Sequence, residues 1–351
     1  MTINPLNILI TGGAGFIGSN FVRFFYHTHP RTQIVNLDLL SYAGNPDNLR
    51  DIEQHELHLE NGRRRYTFVQ GDICNESLVD GLFSQYKFDT VFHFAAESHV
   101  DRSIFNVLHF VRTNIEGTRS LVEAARKYGT PRFIHVSTDE VYGSIAKGYA
   151  DEQAPLVPSN PYSASKAGGD LLIQSYIKTH GFPAVIVRGS NNYGPYQYPE
   201  KLIPLAITNM LEEKKVPIHG DGMQVRSWLY VNDFCRAVDL IARQAAAGQI
   251  YNVAGEEKNN LDVLRILAGH LSKNFESFRH HVKDRPAADM RYAVDGSKLV
   301  RELGWKRTHH FEESIGEVVR WYREHDDWWR TIRLKKGFQE HYERQAKGEW
   351  C

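Results

Sequence analysis

The sequence has no excess of charge of either sign. Its 42 lysine and arginine residues balance 42 aspartate and glutamate residues, so no net field draws the whole molecule toward nucleic acid or an anionic membrane. We therefore expect neither partner, and an anionic ligand must be held by a local site.

Long apolar runs are also missing. The apolar stretches are short and typical of strands, and the chain reaches the first of them at residues 6–10 without the pattern of a signal peptide. The sequence therefore predicts a cytoplasmic protein.

Cysteine is scarce. Cys74, Cys235 and Cys351 form neither a CxxC pair nor an even disulfide framework, which fits a reducing compartment. The 17 histidines are scattered, and the adjacent pairs among them lack the helical spacing of a metal site. We therefore expect free thiols and no metal.

The length and the arrangement of apolar runs predict two lobes. A chain of 351 residues exceeds the usual size of a single hydrophobic core. Apolar runs at 7–11, 33–38, 67–69, 90–94, 133–136 and 184–187 alternate with helical patterns such as residues 16–26. This alternation predicts an α/β fold with a doubly wound parallel sheet (Rossmann) and a smaller mixed α/β substrate-binding lobe.

The lobe boundary is predicted to be discontinuous. Beyond about residue 188 the pattern becomes irregular, with proline and glycine at 194–217, whereas 228–242 resembles a strand and helix that return to the first domain. We therefore assign residues 1–187 plus about 228–253 to an NAD-binding domain. Residues 188–227 plus about 254–351 form the nucleotide-sugar-binding lobe.

A glycine triplet joins the first predicted strand to the first helix. Gly12, Gly15 and Gly18 have the spacing that allows a tight turn, close approach of backbone N–H groups to a pyrophosphate, and close helix packing. Asp38 ends the second strand, where a carboxylate accepts hydrogen bonds from ribose hydroxyls and repels a 2′-phosphate. The sequence therefore predicts NAD rather than NADP. Asp72 follows the third strand and is either near the adenine or simply a helix cap.

Tyr162 and Lys166 follow Asn160-Pro161, a favourable helix start. A spacing of four places both side chains on one helix face. An ammonium beside the phenol lowers its pKa and makes a base at neutral pH. Thr138, Asp139 and Glu140 leave the carboxyl end of a strand, where doubly wound folds bind their ligands, so we expect them in the same crevice.

Together these motifs resemble the dTDP-glucose 4,6-dehydratases of the extended short-chain dehydrogenase/reductase (NAD-dependent epimerase/dehydratase) family. The resemblance covers nearly the whole chain, including FAAESHVDRS at 94–103, RGSNNYGP at 188–195 and PEKLIP at 199–204. It implies a lyase, a hydro-lyase with tightly bound NAD: hydride leaves C4, water is lost across C5 and C6, and hydride returns to C6.

The resemblance also implies the roles of individual residues. Tyr162 takes the C4 hydroxyl proton, Lys166 tunes Tyr162 and holds the nicotinamide ribose, and Thr138 steadies the C4 oxygen. Glu140 is the base at C5 and Asp139 the acid to the C6 hydroxyl. The predicted cofactor-binding residues are Gly12, Gly15, Phe16, Ile17, Gly18, Asp38, Asp72, Ile73, Ala95, Tyr162 and Lys166. The predicted substrate-binding residues are Ser98, Asn191, Lys201, Arg226 and Asn260.

Two departures leave the nucleotide open. Thymidine-specific relatives in bacteria typically have an aspartate where this chain has Ser227 and a histidine where it has Ala288. These replacements resemble those of UDP-glucose 4,6-dehydratases, so UDP-glucose or another UDP-hexose is the alternative substrate. A 4-epimerase of the family has no use for Asp139 and Glu140, and a non-catalytic NAD-binding protein need not keep them.

The resemblance implies a homodimer as well, built on helices at 106–125 and 163–177. Use of the product in rhamnose, another deoxysugar or an amino sugar stays open. The C-terminal tryptophans Trp321, Trp328, Trp329 and Trp350 are interpreted as packing residues.

Overall fold

The computed structural model describes residues 4–59 and 64–349, so Trp350 and Cys351 lie outside the described residues. The strands within them are β1 (Asn7–Thr11), β2 (Gln33–Asp38), β3 (Tyr66–Gln70), β4 (Thr90–His93), β5 (Arg132–Thr138), β6 (Ala184–Gly189), β7 (Asn191–Tyr193), β8 (Val216–His219), β9 (Val225–Tyr230), β10 (Ile250–Val253), β11 (Glu256–Asn259) and β12 (Arg279–Val282).

The helices begin with α1 (Phe16–Thr28), α2 (Arg50–Leu57), α3 (Glu76–Tyr86), α4 (Val100–Phe105), α5 (Val107–Val111), α6 (Thr118–Lys127), α7 (Pro161–His180) and α8 (Leu202–Leu211). They continue with α9 (Val231–Gln244), α10 (Asn260–His270), α11 (Phe275–Phe278), α12 (Ser297–Leu303), α13 (Phe311–Glu324), α14 (Asp326–Arg333) and α15 (Lys336–Lys347). Short 3₁₀ helices span Pro46–Leu49 and Asp139–Tyr142, and a π-helical segment, Arg112–Gly117, joins α5 to α6.

Seven parallel strands form the main sheet, in the order β10-β6-β5-β4-β1-β2-β3. Its central strands are apolar runs buried on both faces, as expected of a parallel sheet covered by helices. The doubly wound fold predicted from the sequence is confirmed. The direction in which successive strands are added to the sheet reverses between β1 and β4, and ligands bind such folds at that point.

Helices cover both faces of this sheet. On one face, aromatic residues of α1, including Phe21 and Phe25, share a buried cluster with Phe234 and Val238 of α9. On the other face, α3, α6 and α7 bury residues such as Phe83, Leu121 and Ile173 against the strands. The carboxyl ends of the strands stay clear of this packing and are available for a site.

The remaining strands build two small sheets, ordered β11-β9-β7 and β12-β8. They enclose a second core with α8, α10 and α13. The helix of the 228–242 segment packs against the large sheet as expected, but its strand, β9, pairs with β7 and β11. Strand periodicity does not specify a partner, because pairing is decided by long-range contacts. The division of the chain into two lobes stays a prediction.

Helix α7 is defined at both ends by its sequence. The Asn160 side chain accepts a hydrogen bond from the Ser163 N–H (3.0 Å), and Pro161 occupies the first turn. Gly181 ends the helix in the left-handed conformation, with a φ of 60°. This fixes the rotation of the helix, and with it the positions of Tyr162 and Lys166.

Candidate active site

The glycine loop shapes one wall of a cleft at the carboxyl ends of β1 and β4. Gly12 has a φ of 73°, and a Cβ there would lie 2.6 Å from the backbone nitrogen of Ala95. A Cβ at Gly18 would overlap the carbonyl oxygen of Gly12. At Gly15 the nearest atom to a Cβ would be 3.4 Å away, an ordinary van der Waals contact. Gly12 and Gly18 are thus required by close packing of the protein itself, whereas Gly15 is not, and its role toward a cofactor stays a prediction.

Helix α1 starts at this wall without a side-chain cap, because its N-cap residue is Gly15. The first N–H groups of a helix have no partner within the helix and attract anions. The site therefore fits the pyrophosphate of a dinucleotide.

Asp38 lies at the end of β2, on the same cleft, and is fixed by the backbone. Its Oδ2 accepts from the Ala14 N–H (2.9 Å) and its Oδ1 from the Leu40 N–H (2.8 Å). Burial raises the pKa of this carboxyl, although both hydrogen bonds oppose the shift. Each oxygen keeps acceptor capacity for a ribose hydroxyl.

Asp72 is not the cap of α3, because Asn75 holds that position, and its role at the adenine stays a prediction. It caps its own turn, because its Oδ1 accepts from the Cys74 N–H (2.8 Å), and its Oδ2 accepts from Arg112 Nη2 (2.8 Å). It also borders the cleft beside Ile73. The predicted cofactor residues that line this cleft are Gly12, Gly15, Phe16, Ile17, Gly18, Asp38, Asp72, Ile73 and Ala95.

Thr138, Asp139 and Glu140 are buried together where β5 passes into a 3₁₀ turn. Thr138 caps that turn, because its Oγ1 accepts from the Glu140 N–H (3.2 Å). Burial, and then the charge of Glu140, raise the pKa of Asp139 to about 8. Burial also raises the pKa of Glu140, but the nearby Lys201, Arg226 and Arg285 oppose the shift. A pKa of about 8 keeps Asp139 mostly protonated at neutral pH, whereas the three cations favour the ionised form of Glu140.

Tyr162 lies beside this pair, and its pKa departs from the sequence prediction. Burial and the negative charge of Glu140 raise the pKa of the phenol, although a hydrogen bond with Thr138 opposes the shift. The predicted lowering is wrong for the protein alone, because desolvation outweighs the effect of a lysine one turn away. Burial lowers the pKa of Lys166 to about 8, and its ammonium donates to the Val136 carbonyl (2.8 Å). Val136 lines the cofactor cleft.

Behind Lys166 lies a buried ionic group on α7, β5 and β6. Arg188 Nε donates to Asp170 (2.8 Å), and His135 Nε2 lies 3.3 Å from the other oxygen. Burial opposes ionisation of Asp170, yet its hydrogen bond with His135 and the charge of Arg188 lower its pKa to about 2. A fixed negative charge thus stands one turn beyond Lys166.

A second cleft adjoins the first and holds most of the predicted substrate residues. Its walls include Glu140, Asn191, Lys201, Arg226 and Asn260. Ser98 lines the cofactor cleft instead, and its carbonyl accepts from Lys201 Nζ (2.9 Å). The two clefts share Gln197, Glu200 and Lys201. The roles of these residues stay predictions.

Arg226 and Tyr292 form the wall next to Glu140. The guanidinium lies 4.2 Å from the centre of the Tyr292 ring and donates to the Asp289 carbonyl (2.9 Å). The Tyr292 hydroxyl donates to Asp289 Oδ2 (2.8 Å) and lies 3.3 Å from Glu140 Oε2. Tyr292 was not predicted, because no local pattern connects residue 292 with the turn after β5.

Arg285 is another site residue that the predictions missed. It lines the second cleft, and its Nη1 donates to the buried Asp101 (2.9 Å). Its buried Nε has no hydrogen-bond partner among residues 4–59 and 64–349. The only available signal was the arginine-proline step in a segment already compared with the family.

The two departures from the thymidine pattern lie outside the walls of this cleft. Ser227 is buried in β9, where its Oγ accepts from the Gly255 N–H (2.8 Å). A Cβ at Gly255 would overlap the Trp228 carbonyl, so the chain is tightly packed there. The geometry gives Ser227 a structural role.

One group of possible metal ligands lies beside the clefts. His99, Glu200 and His341 are buried, with ligand atoms within 4.8 Å of one another. Arg102 already donates to Glu200 Oε2 through Nε (3.1 Å) and Nη2 (2.9 Å). Positive charge from Lys201 and Arg102 also reaches His99. These cations oppose a divalent ion, and the prediction of no metal stands as a prediction.

The tryptophan-rich tail packs against the second core and against the segment that leads into α2. Trp329 is fully buried in the second core, and its Nε1 donates to the Tyr322 carbonyl (2.8 Å). Trp328 Nε1 donates to the Asn48 side chain (2.9 Å) beside α2.

Across the described part of the chain, no helix combines the length and apolar character needed to cross a membrane.

Comparison with known proteins relates this geometry to chemistry. The family model described as GDP-mannose 4,6 dehydratase matches residues 9–318. A dTDP-glucose 4,6-dehydratase of Streptomyces niveus is 45% identical over 333 residues, covering 93% of this chain and 96% of the relative.

Solved structures give the same result. The dTDP-glucose 4,6-dehydratase DesIV of Streptomyces venezuelae, with NAD bound, superposes with a TM-score of 0.88 at 43% identity, covering 93% of this chain and 100% of that one. The dTDP-glucose 4,6-dehydratase of Bacillus anthracis in complex with NAD gives a TM-score of 0.85 at 40% identity, covering 93% and 99%.

Proposed function

The chain belongs to the nucleotide-sugar 4,6-dehydratase family, and on that premise we propose that it converts dTDP-glucose to dTDP-4-keto-6-deoxyglucose with NAD as its cofactor. The observation that carries the proposal is the buried pair Asp139 and Glu140 beside Tyr162. Oxidation at C4 alone needs a tyrosine and a lysine. The loss of water needs an acid and a base in addition.

The C4 step uses Tyr162, Thr138 and Lys166. Tyr162 takes the proton of the C4 hydroxyl, and Thr138, which is hydrogen-bonded to the phenol, steadies the C4 oxygen. Lys166 holds the nicotinamide ribose and contributes positive charge that favours the phenolate. When bound, NAD would supply the chemistry of a hydride acceptor at C4 and, once reduced, of a hydride donor to C6, and its oxidised form would add a positive charge.

Elimination follows because a ketone at C4 acidifies the C5 proton. Glu140 takes this proton, since three cations face its carboxylate and favour the ionised form. Asp139 has a pKa of about 8, so it is protonated at neutral pH and donates to the departing C6 hydroxyl. The arrangement assigns one carboxyl group to each proton transfer, which an epimerase would not need.

The diphosphate is held where cations converge on the second cleft. Arg226, Arg285 and Lys201 all line it. Planar guanidinium groups suit phosphate oxygens. Asn191 adds a buried Oδ1 without a partner among the described residues, available to a sugar hydroxyl. UDP-glucose is the second candidate because Ser227 and Ala288 differ from the thymidine pattern, but the contact of Ser227 with Gly255 favours a structural explanation.

The test is to incubate the purified protein separately with dTDP-glucose and UDP-glucose, without added reductant, and to follow each product by mass. Loss of one water from dTDP-glucose is the expected result, and the doubly substituted variant Asp139→Asn/Glu140→Gln is the control. Loss of water from UDP-glucose alone would show that the nucleobase of the substrate is uracil and not thymine. No loss from either sugar would contradict a dehydratase.

The same proposal includes a homodimer in the cytoplasm. Apolar side chains are exposed on α5 and on α7, which packs against it, with Leu108 74% and Leu171 57% exposed. Such paired apolar surface on neighbouring helices suits a self-association face. Light scattering should give twice the monomer mass, and Leu108→Asp should lower it. Free Cys74 and Cys235 fit a reducing compartment.

A further inference from the structure

Helix α15 turns one face toward the substrate cleft, although it lies more than fifty positions beyond Arg285 in the chain. His341 and Gln345 on that face are buried, each 6% exposed, whereas Gln339 on the opposite face is exposed. Gln345 is one of the residues that line the cleft. A helix that only covered a hydrophobic core would carry apolar side chains on its buried face, not polar ones.

Gln345 connects to Arg285 through one carboxylate. Its Nε2 donates to Asp101 Oδ2 (3.3 Å) and lies 3.4 Å from the Glu200 carbonyl. The other oxygen of Asp101 accepts from Arg285 Nη1 (2.9 Å). Asp101 is therefore fixed from two sides, and its position determines where the guanidinium points.

His341 approaches the neighbouring carboxylate. Its Nε2 lies 3.9 Å from Glu200 Oε2, and its ring stands edge-on to His99 with centroids 4.8 Å apart. Glu200 directly precedes Lys201 and is held by Arg102. His341 therefore packs against Glu200 and His99, the buried group next to Lys201.

The helix is fastened to the walls that it supports. Arg102 Nη2 donates to the Gly337 carbonyl (3.4 Å), and Arg344 lies 5.0 Å from the centre of the Phe105 ring on α4. At its end, a Cβ on Gly348 would lie 2.9 Å from the backbone nitrogen of Lys283. Helix α15 therefore touches both α4 and the segment that carries Arg285.

We propose that α15 is a working part of the substrate cleft, in which Gln345, through Asp101, is a positioning residue for Arg285, one of the cations that hold the nucleotide diphosphate. This inference rests on the proposed function, because it deepens how that substrate is bound. It assigns no chemistry to α15: the helix sets the affinity for the diphosphate and leaves the proton transfers to other residues.

The test replaces Gln345 with methionine, which keeps the length of the side chain and removes its donors. Binding of dTDP to the NAD-containing protein is measured by titration calorimetry. We expect the Kd for dTDP to rise about tenfold, because an Arg285 guanidinium that is no longer fixed through Asp101 loses more freedom when it orders on the diphosphate. The KM for the nucleotide sugar should rise in parallel, with kcat at saturation nearly unchanged. The lost internal hydrogen bond should lower the melting temperature by no more than a few degrees.

Gln339→Met is the matched control, because it makes the same change on the exposed face of the same helix. It should leave the Kd unchanged. If Gln345→Met leaves the Kd for dTDP at the wild-type value, the inference is overturned. A rise matched by a similar rise in Gln339→Met overturns it as well, because the effect would then be general damage to the helix.

A second measurement tests the route through Arg285. In an Arg285→Ala background, Gln345→Met should change the Kd much less than in the wild type, because the group it positions is gone. Equal effects in both backgrounds would refute that route. Binding of dTDP does not depend on turnover, so a protein that binds dTDP but releases no water from dTDP-glucose would refute the proposed function and leave this inference standing.

Discussion

Glu140 directly follows Asp139 at the end of β5, and its negative charge adds to burial in raising the pKa of Asp139 to about 8. The two carboxyl groups nevertheless face different surroundings, because Lys201, Arg226 and Arg285 all counter the rise in the pKa of Glu140, whereas Arg226 is the cation that counters it at Asp139. One turn of chain therefore holds an acid and a base that differ mainly through the cations around them.

This difference predicts a pH dependence. Dehydration should slow as the pH rises through about 8, because Asp139 then loses the proton that it gives to the leaving hydroxyl. The measurement is the rate of keto-deoxysugar formation at saturating dTDP-glucose from roughly pH 6 to 10, which covers about two pH units on either side of the pKa of Asp139. The decline should be smaller in Asp139→Asn, in which Lys166, with a pKa of about 8, still loses its proton in this range. A wild-type rate that still climbs at the alkaline end would contradict the role of Asp139.

The raised pKa also predicts a stability effect. Between the ordinary pKa of 3.8 and about 8, folded Asp139 keeps a proton that the unfolded chain has lost, so the free energy of unfolding falls as the pH rises through that window. Asp139→Asn removes the titration and should raise the melting temperature by a few degrees at neutral pH. The gain should shrink toward pH 4. If the difference in melting temperature between the variant and the wild type is the same at both pH values, Asp139 is not buried as described.

Substitutions should separate the two halves of the reaction. Tyr162→Phe should stop oxidation at C4, whereas Asp139→Asn with Glu140→Gln should allow reduced nicotinamide to accumulate without water loss. Losing one acid or base typically lowers a rate by about 10² to 10⁴. Nicotinamide absorbance and product mass, followed in one reaction, distinguish the cases. Normal product from the double variant would remove the carboxyl groups from the mechanism.

Asp38 should determine cofactor choice. Asp38→Ala removes both the acceptor for the ribose and the charge that repels a 2′-phosphate, so NAD retention should weaken and some NADP should bind. Asp38→Asn is the informative partner, because it keeps an oxygen that can accept from Ala14 while removing the charge. Fluorescence titration with both cofactors measures the ratio. Unchanged selectivity in both variants would exclude the assigned role of Asp38.

The glycines should divide into two classes. Gly15→Ala should leave the melting temperature of the NAD-free protein nearly unchanged, because the new Cβ would make only an ordinary contact with the Gly12 carbonyl. It should weaken NAD binding, because the predicted pyrophosphate site lies against this residue. Gly18→Ala should also destabilise the fold by about 1–3 kcal/mol, since its Cβ would overlap the Gly12 carbonyl. Calorimetric melting and NAD titration of both variants test this. Identical behaviour of the two would reject the division.

The sequence predicted the parts of the fold and site that are encoded locally. Buried parallel strands are continuous apolar runs, and the glycine loop and the Tyr162 helix carry their own turn and cap residues. The partners of β9 could not be predicted, because alternation shows a strand but does not name its neighbours.

Properties that depend on electrostatics or on contacts between distant segments could not be predicted from the sequence. The spacing of Tyr162 and Lys166 predicts their proximity, but the pKa of the phenol depends on burial and on Glu140, which only the folded chain defines. Tyr292 and Gln345 reach the clefts from distant segments with no chemical motif around them.

The order of strands has a consequence for how the chain matures. Strand β10 completes the large sheet beside β6, yet residues 190–249 between them supply α8, β9 and part of the second core. As the polypeptide leaves the ribosome, the first six strands of that sheet emerge before the edge strand that closes it, and β6 must wait with an open edge. Part of the second core is therefore synthesised before the large sheet is complete. A nascent chain that stalls before residue 250 would present that edge to other chains, which makes this interval the stage of biogenesis most exposed to aggregation.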